Sequence, residues 1–190
     1  MRDLPGIPRP RWLADTERVD LAVYAAIAAT PTPSLDLAMG RLSRAADYSK
    51  ISLTAAGLLA LGRGHPGRRA ALAGLASAGV TSLVLNLGFK RVGRRRPDPE
   101  AAGVPLARQV RMPRSTSFPS GHAAAAFAFA TGVGHSLPRE AVPLHALAVL
   151  VAYSRVHTGV HYPADAIVGA LTGTALAQLV TRTLDRRAPG

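Results

Sequence analysis

Residues Ala70–Phe89 form an unbroken run of 20 residues without a charged side chain. An α-helix needs about 20 predominantly apolar residues to cross the hydrocarbon core of a bilayer. Only helices and closed barrels satisfy their backbone polar groups there, so the run predicts a membrane-spanning helix. Four shorter apolar segments accompany it: Ile51–Gly62, Ala123–Gly134, Ala141–Tyr153 and Ala166–Thr181. Each alone would suit a buried helix of a soluble protein. Beside one clear span they predict an all-α integral membrane bundle of about five transmembrane helices, with Pro138 and Pro163 marking breaks between helices. Hydrophobic residues make up 48% of the chain and aromatics only 5%. The apolar mass is therefore mostly Ala, Leu and Val, side chains that suit close helix packing within a bilayer.

The segment ahead of the bundle is different in character. Residues 1–18 are polar and proline-containing and read as surface chain. Val19–Ala29 and Leu35–Leu42, split by Thr30-Pro31-Thr32-Pro33, read as two short amphipathic helices, interfacial or packed on the bundle. The expected division is residues 1–45 as this N-terminal segment, 46–183 as the membrane-embedded domain and 184–190 as a polar tail. Met1-Arg2-Asp3-Leu4-Pro5 opens no apolar core with a small-residue cleavage site, so no secretory signal peptide is expected. Cysteine is absent, which removes disulfides and thiolate metal sites.

The formal charge of +12 demands an anionic partner. Nucleic acid fits poorly, because the basic residues lie between apolar blocks and few aromatics are present for base stacking. Membrane lipids and a phosphorylated substrate fit better. With five spans, residues 1–50 and the 90–121 and 154–162 loops share one face. That face carries more than twice the Lys and Arg of the other. The positive-inside rule then puts it in the cytoplasm of a multi-pass plasma-membrane protein.

Three motifs fall on that same face: Lys90 with Arg96-Pro97, Ser117-Phe118-Pro119-Ser120-Gly121-His122, and Ser154-Arg155 followed by His161 and Asp165. Ser120 can cap a helix start, and Gly121 lets backbone approach a ligand; the free N–H groups there bind anions. Lys90, Arg96 and Arg155 can donate charge-assisted hydrogen bonds to phosphoryl oxygens and favour a transition state that spreads negative charge over them. His161 precedes Asp165 by four residues, with Pro163 suited to a first helical position. One helical turn would bring the carboxylate to one imidazole nitrogen and leave the other free as a nucleophile. His122 is the natural general acid for the leaving oxygen.

Each motif also has a plainer reading. Ser-Gly-His is a common helix start, His161 with Asp165 can be a capping pair, and Arg94-Arg95-Arg96 can be a solvated or lipid-facing basic patch. His157 reads as a loop histidine outside the scheme, and His65, His135 and His145 as incidental. Zinc held by His122, His157, His161 and Asp165 would need a ligand spacing unlike the short zinc motifs, so no metal and no cofactor is expected.

Pro119-Ser120-Gly121-His122 resembles the second signature of the type 2 phosphatidic acid phosphatase (lipid phosphate phosphatase) superfamily. Ser154-Arg155, His161 and Asp165 match its third position for position, and Lys90 with Arg96-Pro97 is similar to its first. The resemblance covers roughly residues 46–181. The first motif departs from the pattern, with five residues between Lys90 and Arg96 where the family has six. One residue turns a helix by about 100°, although Gly93 and the arginines after it suggest a loop. Whether Arg95 or Arg96 meets phosphate stays open at this point.

The resemblance implies a membrane helical bundle with a metal-independent phosphatase site at the membrane surface. His161 would attack phosphorus to give a phosphohistidine. His122 would protonate the leaving alcohol and then activate water. Asp165 would orient His161, while Lys90, Arg96, Ser120, Gly121 and Arg155 hold the phosphoryl group. Implied substrates are lipid or polyprenyl phosphomonoesters or pyrophosphates: a decaprenylphosphoryl-5-phosphoribose, or alternatively a polyprenyl pyrophosphate, phosphatidylglycerophosphate or phosphatidic acid. Two other classes remain, a vanadate haloperoxidase and a non-catalytic membrane binding protein. The uncharged span weighs against the first, and the intact histidine pair with Asp165 against the second.

Overall fold

The computed structural model describes residues 11–88 and 94–187. They form seven α-helices, with no strand among the described residues: α1 Arg11–Ala29, α2 Pro33–Ala45, α3 Lys50–Gly62, α4 Gly64–Leu87, α5 Gly121–Gly134, α6 Pro138–His157 and α7 Pro163–Arg187. A single 3-10 turn, Asp47–Ser49, leads into α3. Proline supplies the first residue of α2, α6 and α7, the position where its missing N–H costs nothing.

The short α5 is the axis of the bundle and packs against α4, α6 and α7. Small residues allow this. A Cβ on Gly74 would stand 2.8 Å from Val133 Cγ2, and one on Gly132 2.8 Å from the Ala73 carbonyl oxygen. On the other side, a Cβ on Gly173 would collide with the Ala124 carbonyl oxygen. The buried interior is accordingly rich in alanine, with Ala70, Ala123, Ala124, Ala128, Ala130 and Ala177 fully enclosed.

Large side chains point the other way. Leu58, Leu61, Leu72, Leu83, Leu171 and Leu179 are all exposed. Small residues inside and leucines outside invert the usual soluble pattern and match helices packed in an apolar solvent. Two helices, Gly64–Leu87 and Pro163–Arg186, are long and apolar enough to cross a membrane. The first covers the expected span that starts at Ala70 as far as Leu87, and the second contains the expected span Ala166–Thr181. The 13-residue α3 and 14-residue α5 reach only about 20 Å at 1.5 Å per residue.

Element boundaries moved outward from the sequence reading. The polar segment expected as surface chain is helical from Arg11, with Arg18 Nη1 donating to Asp15 Oδ1 at 3.2 Å. Helical propensity was hidden there by polarity, because straight-chain charged residues lose little freedom in a helix. α4 begins at Gly64, taking Arg68 and Arg69 into its first turns, while Phe89 and Lys90 lie outside the described residues. His157 is not in a loop. It closes α6, almost fully buried, with Nε2 3.0 Å from Asp36 Oδ1. Arg108, fully buried, donates from Nε to the same oxygen at 2.7 Å and to the Ile27 and Thr30 carbonyls. This paired network pins α1, α2 and the long 94–120 segment to α6, which fixes one wall of the site.

Candidate active site

His161 sits on the turn between α6 and α7. Gly159 makes that turn at φ +75°, where a Cβ would meet Pro99 Cβ at 2.9 Å, so the position requires glycine on two counts. The chain then folds back, and the His161 N–H donates to the Arg155 carbonyl at 3.1 Å. His161 is only 2% exposed. Its Nδ1 lies 3.4 Å from Asp165 Oδ2, and its Nε2 3.1 Å from Arg96 Nη1. A guanidinium can only donate and a carboxylate only accept, so Nδ1 carries the proton and the Nε2 lone pair faces Arg96. Burial pushes the imidazole pKa down to about 4 against the opposite pull of its hydrogen bond with Asp165, with Arg96 adding to the downward push. The ring is therefore neutral near pH 7.

Asp165 stands in the first turn of α7, just after Pro163. Its Oδ2 accepts the Ser117 hydroxyl and the Tyr162 N–H, the latter at 3.0 Å. Its Oδ1 accepts from Arg94 Nη1 at 2.8 Å. The Ser120 N–H donates to the Asp165 carbonyl at 2.9 Å, which joins the start of α5 to the start of α7. The second and third motifs are thus physically one unit.

Ser120 caps α5 as expected, its Oγ accepting the Ala123 N–H at 3.5 Å. His122 follows on the first turn. Its Nε2 donates to Asp47 Oδ1 at 3.0 Å, and Arg155 Nη1 approaches the same carboxylate at 3.6 Å. Arg155 is buried and donates from Nη1 to Ser43 Oγ at 2.7 Å, while its Nε has no partner among the described residues. Arg96 is held by the Ser115 and Thr116 carbonyls and by Val160 O, at 2.8, 3.2 and 3.0 Å. Such fixation leaves the guanidinium little freedom to reorganise.

A cavity of about 310 Å³ opens between these groups. Arg96, His122 and His161 line it together with Ser115, Thr116 and the small polar side chains Ser52, Ser82 and Asn86, and Ala46, Ile51, Leu85, Ala125, Ala126 and Val151 add apolar surface. A lining that combines an arginine and two histidines with apolar side chains can take a phosphate ester whose alcohol portion is greasy. Ser120, Arg155 and Asp165 stand behind this lining, while Lys90 lies outside the described residues.

The arginine triplet divides its labour. Arg96 lines the cavity, Arg95 is exposed, and Arg94 is drawn inward between two carboxylates. The basic-patch reading fails for Arg94 and Arg96, because carbonyls and carboxylates of distant segments surround them. Sequence reasoning missed Asp20, Asp47 and the role of Arg94, and gave Ser117 none. Asp20 and Asp47 lie far ahead of the motifs, Asp20 in a stretch that reads only as amphipathic and Asp47 in the short polar segment before Ile51, so no local signal marked them.

A sequence profile described as the PAP2 superfamily matches residues 69–189. A decaprenylphosphoryl-5-phosphoribose phosphatase of Mycobacterium tuberculosis is 38% identical over 117 residues, spanning 60% of each chain. A lipid A 1-phosphatase of Rhizobium johnstonii is 34% identical over 95 residues, 49% of this chain and 39% of that one. The match thus spans well under two thirds of the length of either relative. Among solved structures, a transmembrane PAP2 type phosphatidylglycerolphosphate phosphatase from Bacillus subtilis superposes with a TM-score of 0.70 at 24% identity, covering 92% of this chain and 88% of that one. Aquifex aeolicus LpxE superposes at 0.65 with 25% identity, covering 86% and 95%.

Proposed function

This chain belongs to the PAP2 superfamily, and from that premise we propose that it is a membrane lipid phosphate phosphatase working through a phosphohistidine on His161. The observation that carries the reading is the orientation of His161. One ring nitrogen faces Asp165 and the other, unprotonated, faces Arg96, and both His161 and Arg96 line the cavity. In the first step Nε2 bonds to phosphorus and the bond from phosphorus to the ester oxygen breaks. His122 gives its proton to that oxygen, releasing the alcohol. The neutral His122 then takes a proton from water, whose oxygen attacks phosphorus, breaks the P–N bond and frees phosphate. Arg96 and Arg155, with Lys90, Ser120 and Gly121, hold the phosphoryl oxygens as charge spreads over them.

The substrate we favour is a polyprenylphosphoryl pentose phosphate, supported by the 38% identity to the mycobacterial enzyme. The protein would lie in the plasma membrane through α3 to α7, with residues 46–183 as the embedded domain and the site on the basic, cytoplasmic side. Because α5 is enclosed by its neighbours, its 14 residues need not face the full hydrocarbon thickness. Support for membrane residence comes from the outward-facing leucines and the two long apolar helices.

The test is inorganic phosphate release by the detergent-solubilised protein and by His161→Ala, both in EDTA. The panel holds a polyprenylphosphoryl pentose phosphate, a polyprenyl pyrophosphate, phosphatidylglycerophosphate and phosphatidic acid. Release that persists in EDTA and vanishes in the variant is expected. Release that needs a divalent metal, or that survives His161→Ala, would overturn the mechanism.

A further inference from the structure

Resting on that reading, we infer that Asp20 of α1 and Arg94 are positioning residues for the nucleophile: they clamp Asp165 so that its second oxygen stays aimed at His161. Arg94 spans two carboxylates, donating from Nη1 to Asp165 Oδ1 at 2.8 Å and from Nη2 to Asp20 Oδ2 at 2.5 Å. The guanidinium carbon also lies 4.2 Å over the Tyr162 ring, the residue directly after His161. Asp20 is itself buried, and its Oδ1 accepts the Ala164 N–H at 2.8 Å. It therefore satisfies an otherwise orphaned donor at the start of α7 while fixing the arginine.

The consequence concerns direction. With Oδ1 taken by Arg94, Asp165 has one oxygen left for the Ser117 hydroxyl, the Tyr162 N–H and His161 Nδ1. Without the clamp the carboxylate can rotate, and the Nδ1–H tautomer of His161 loses the contact that selects it. Two carboxylates meeting at one point also need a cation between them. Only a planar, two-armed group satisfies both, so lysine is a poor substitute. Asp20 lies outside the residues matched by the family profile, and Arg94 is one of the spacer residues between Lys90 and Arg96 of the first motif. The N-terminal helix, which read as a packing element, thus completes the site.

The test uses the full chain in detergent, with Asp20→Asn, Arg94→Lys, Asp20→Glu, Asp165→Asn and the double variant Asp20→Asn/Asp165→Asn. Phosphate release is measured on phosphatidic acid in mixed micelles and on a polyprenylphosphoryl pentose phosphate. We expect kcat to fall roughly 10–100-fold in Asp20→Asn and Arg94→Lys with KM nearly constant, as misplacement of a supported group does. Asp20→Glu should recover most of the loss. The double variant should be no slower than Asp165→Asn alone, because Asp20 acts through Asp165. An unchanged kcat in Asp20→Asn, or losses that multiply in the double variant, would overturn the assignment. A readout without substrate separates it from the phosphatase reading: the 15N histidine resonances of His161 should move from the Nδ1–H pattern towards a tautomer mixture in Asp20→Asn. Resonances that stay put overturn the clamp even if phosphate is released. If the unaltered protein releases no phosphate while those resonances move, the phosphatase reading fails and the clamp stands.

Discussion

Asp47 Oδ1 accepts the Nε2 proton of His122 at 3.0 Å across 75 residues of sequence. The carboxylate also lies 3.6 Å from the buried Arg155 guanidinium, so it holds two groups assigned to substrate. It is 40% exposed on a short 3-10 turn, beside Ser49 at φ +57°. Its hydrogen bond fixes the ring of His122, which lines the cavity, and so sets the direction in which that ring can pass a proton.

Asp47→Asn is therefore expected to hit proton donation harder than binding. Hydrolysis of an alkyl phosphate should slow by about 10²-fold, the lower end for general acid catalysis. p-Nitrophenyl phosphate, whose leaving group needs little protonation, should lose far less. KM should fall, since an anion that competes for Arg155 has been removed. Paired kcat and KM measurements on the two esters decide it, and equal losses on both would rule out a role through His122.

Arg96 and its neighbour Arg95 make a sharp contrast for mutagenesis. Arg96 is anchored to Ser115, Thr116 and Val160 and reaches His161, whereas Arg95 is exposed. Arg96→Ala should lower kcat roughly 10²–10³-fold, as loss of one preorganised donor does. Arg95→Ala should stay within about two-fold, the small effect expected of an exposed residue clear of the site. The reverse ranking would mean that the shortened first motif places Arg95 at phosphate.

The sequence made the second and third motifs legible because their spacing is local: Ser120 caps α5, and His161 meets Asp165 within one turn. The helices were legible from apolar runs, with ends misplaced where charged helix formers such as Arg68 and Arg69 continued the helix. Asp20, Asp47 and Arg94 were not legible, because each acts across more than 70 residues through tertiary packing. The buried Asp36, Arg108 and His157 network is hidden for the same reason. Isolated charges in an amphipathic stretch look like solvated ones until the fold encloses them.

Packing offers a test independent of catalysis. Gly173 of α7 lies against the Ala124 carbonyl of α5, and Gly169 against Ser120, where a Cβ would stand 2.5 Å from the carbonyl oxygen. Backbone cannot yield there as a flexible side chain would. Gly173→Ala should destabilise the bundle by about 1–3 kcal/mol, read as a lower thermal midpoint in detergent. Gly79→Ala is the control, since no atom of the described residues lies within 4 Å of its Cβ. Equal midpoints for the two variants would contradict the close α5–α7 contact. Gly169→Ala should in addition slow phosphate release, because the shift it forces falls on the cap that carries His122.

The buried His161 ring carries a signed expectation for acid. Burial takes the His161 pKa to about 4 from an ordinary value of 6.5. Above pH 6.5 the ring is neutral in both folded and unfolded chains and contributes nothing to pH dependence. Between 6.5 and 4 the unfolded chain binds a proton that the folded one refuses, so stability is lost as pH falls through that window and the loss saturates near 4. His161→Gln keeps a polar side chain without titrating there. Its thermal midpoint should consequently drop less than the parent's between pH 7 and 4.5, with the carboxylates that do not touch His161 cancelling in the comparison and Asp165, which pairs with it, held ionised in both by Arg94. Parallel pH profiles would mean that His161 titrates as an ordinary, hydrated histidine. For the proposed chemistry, the same depression keeps His161 unprotonated through mildly acidic pH. Once the substrate's own second ionisation near pH ~6 is divided out, the acid limb of kcat/KM should lie well below 6.5.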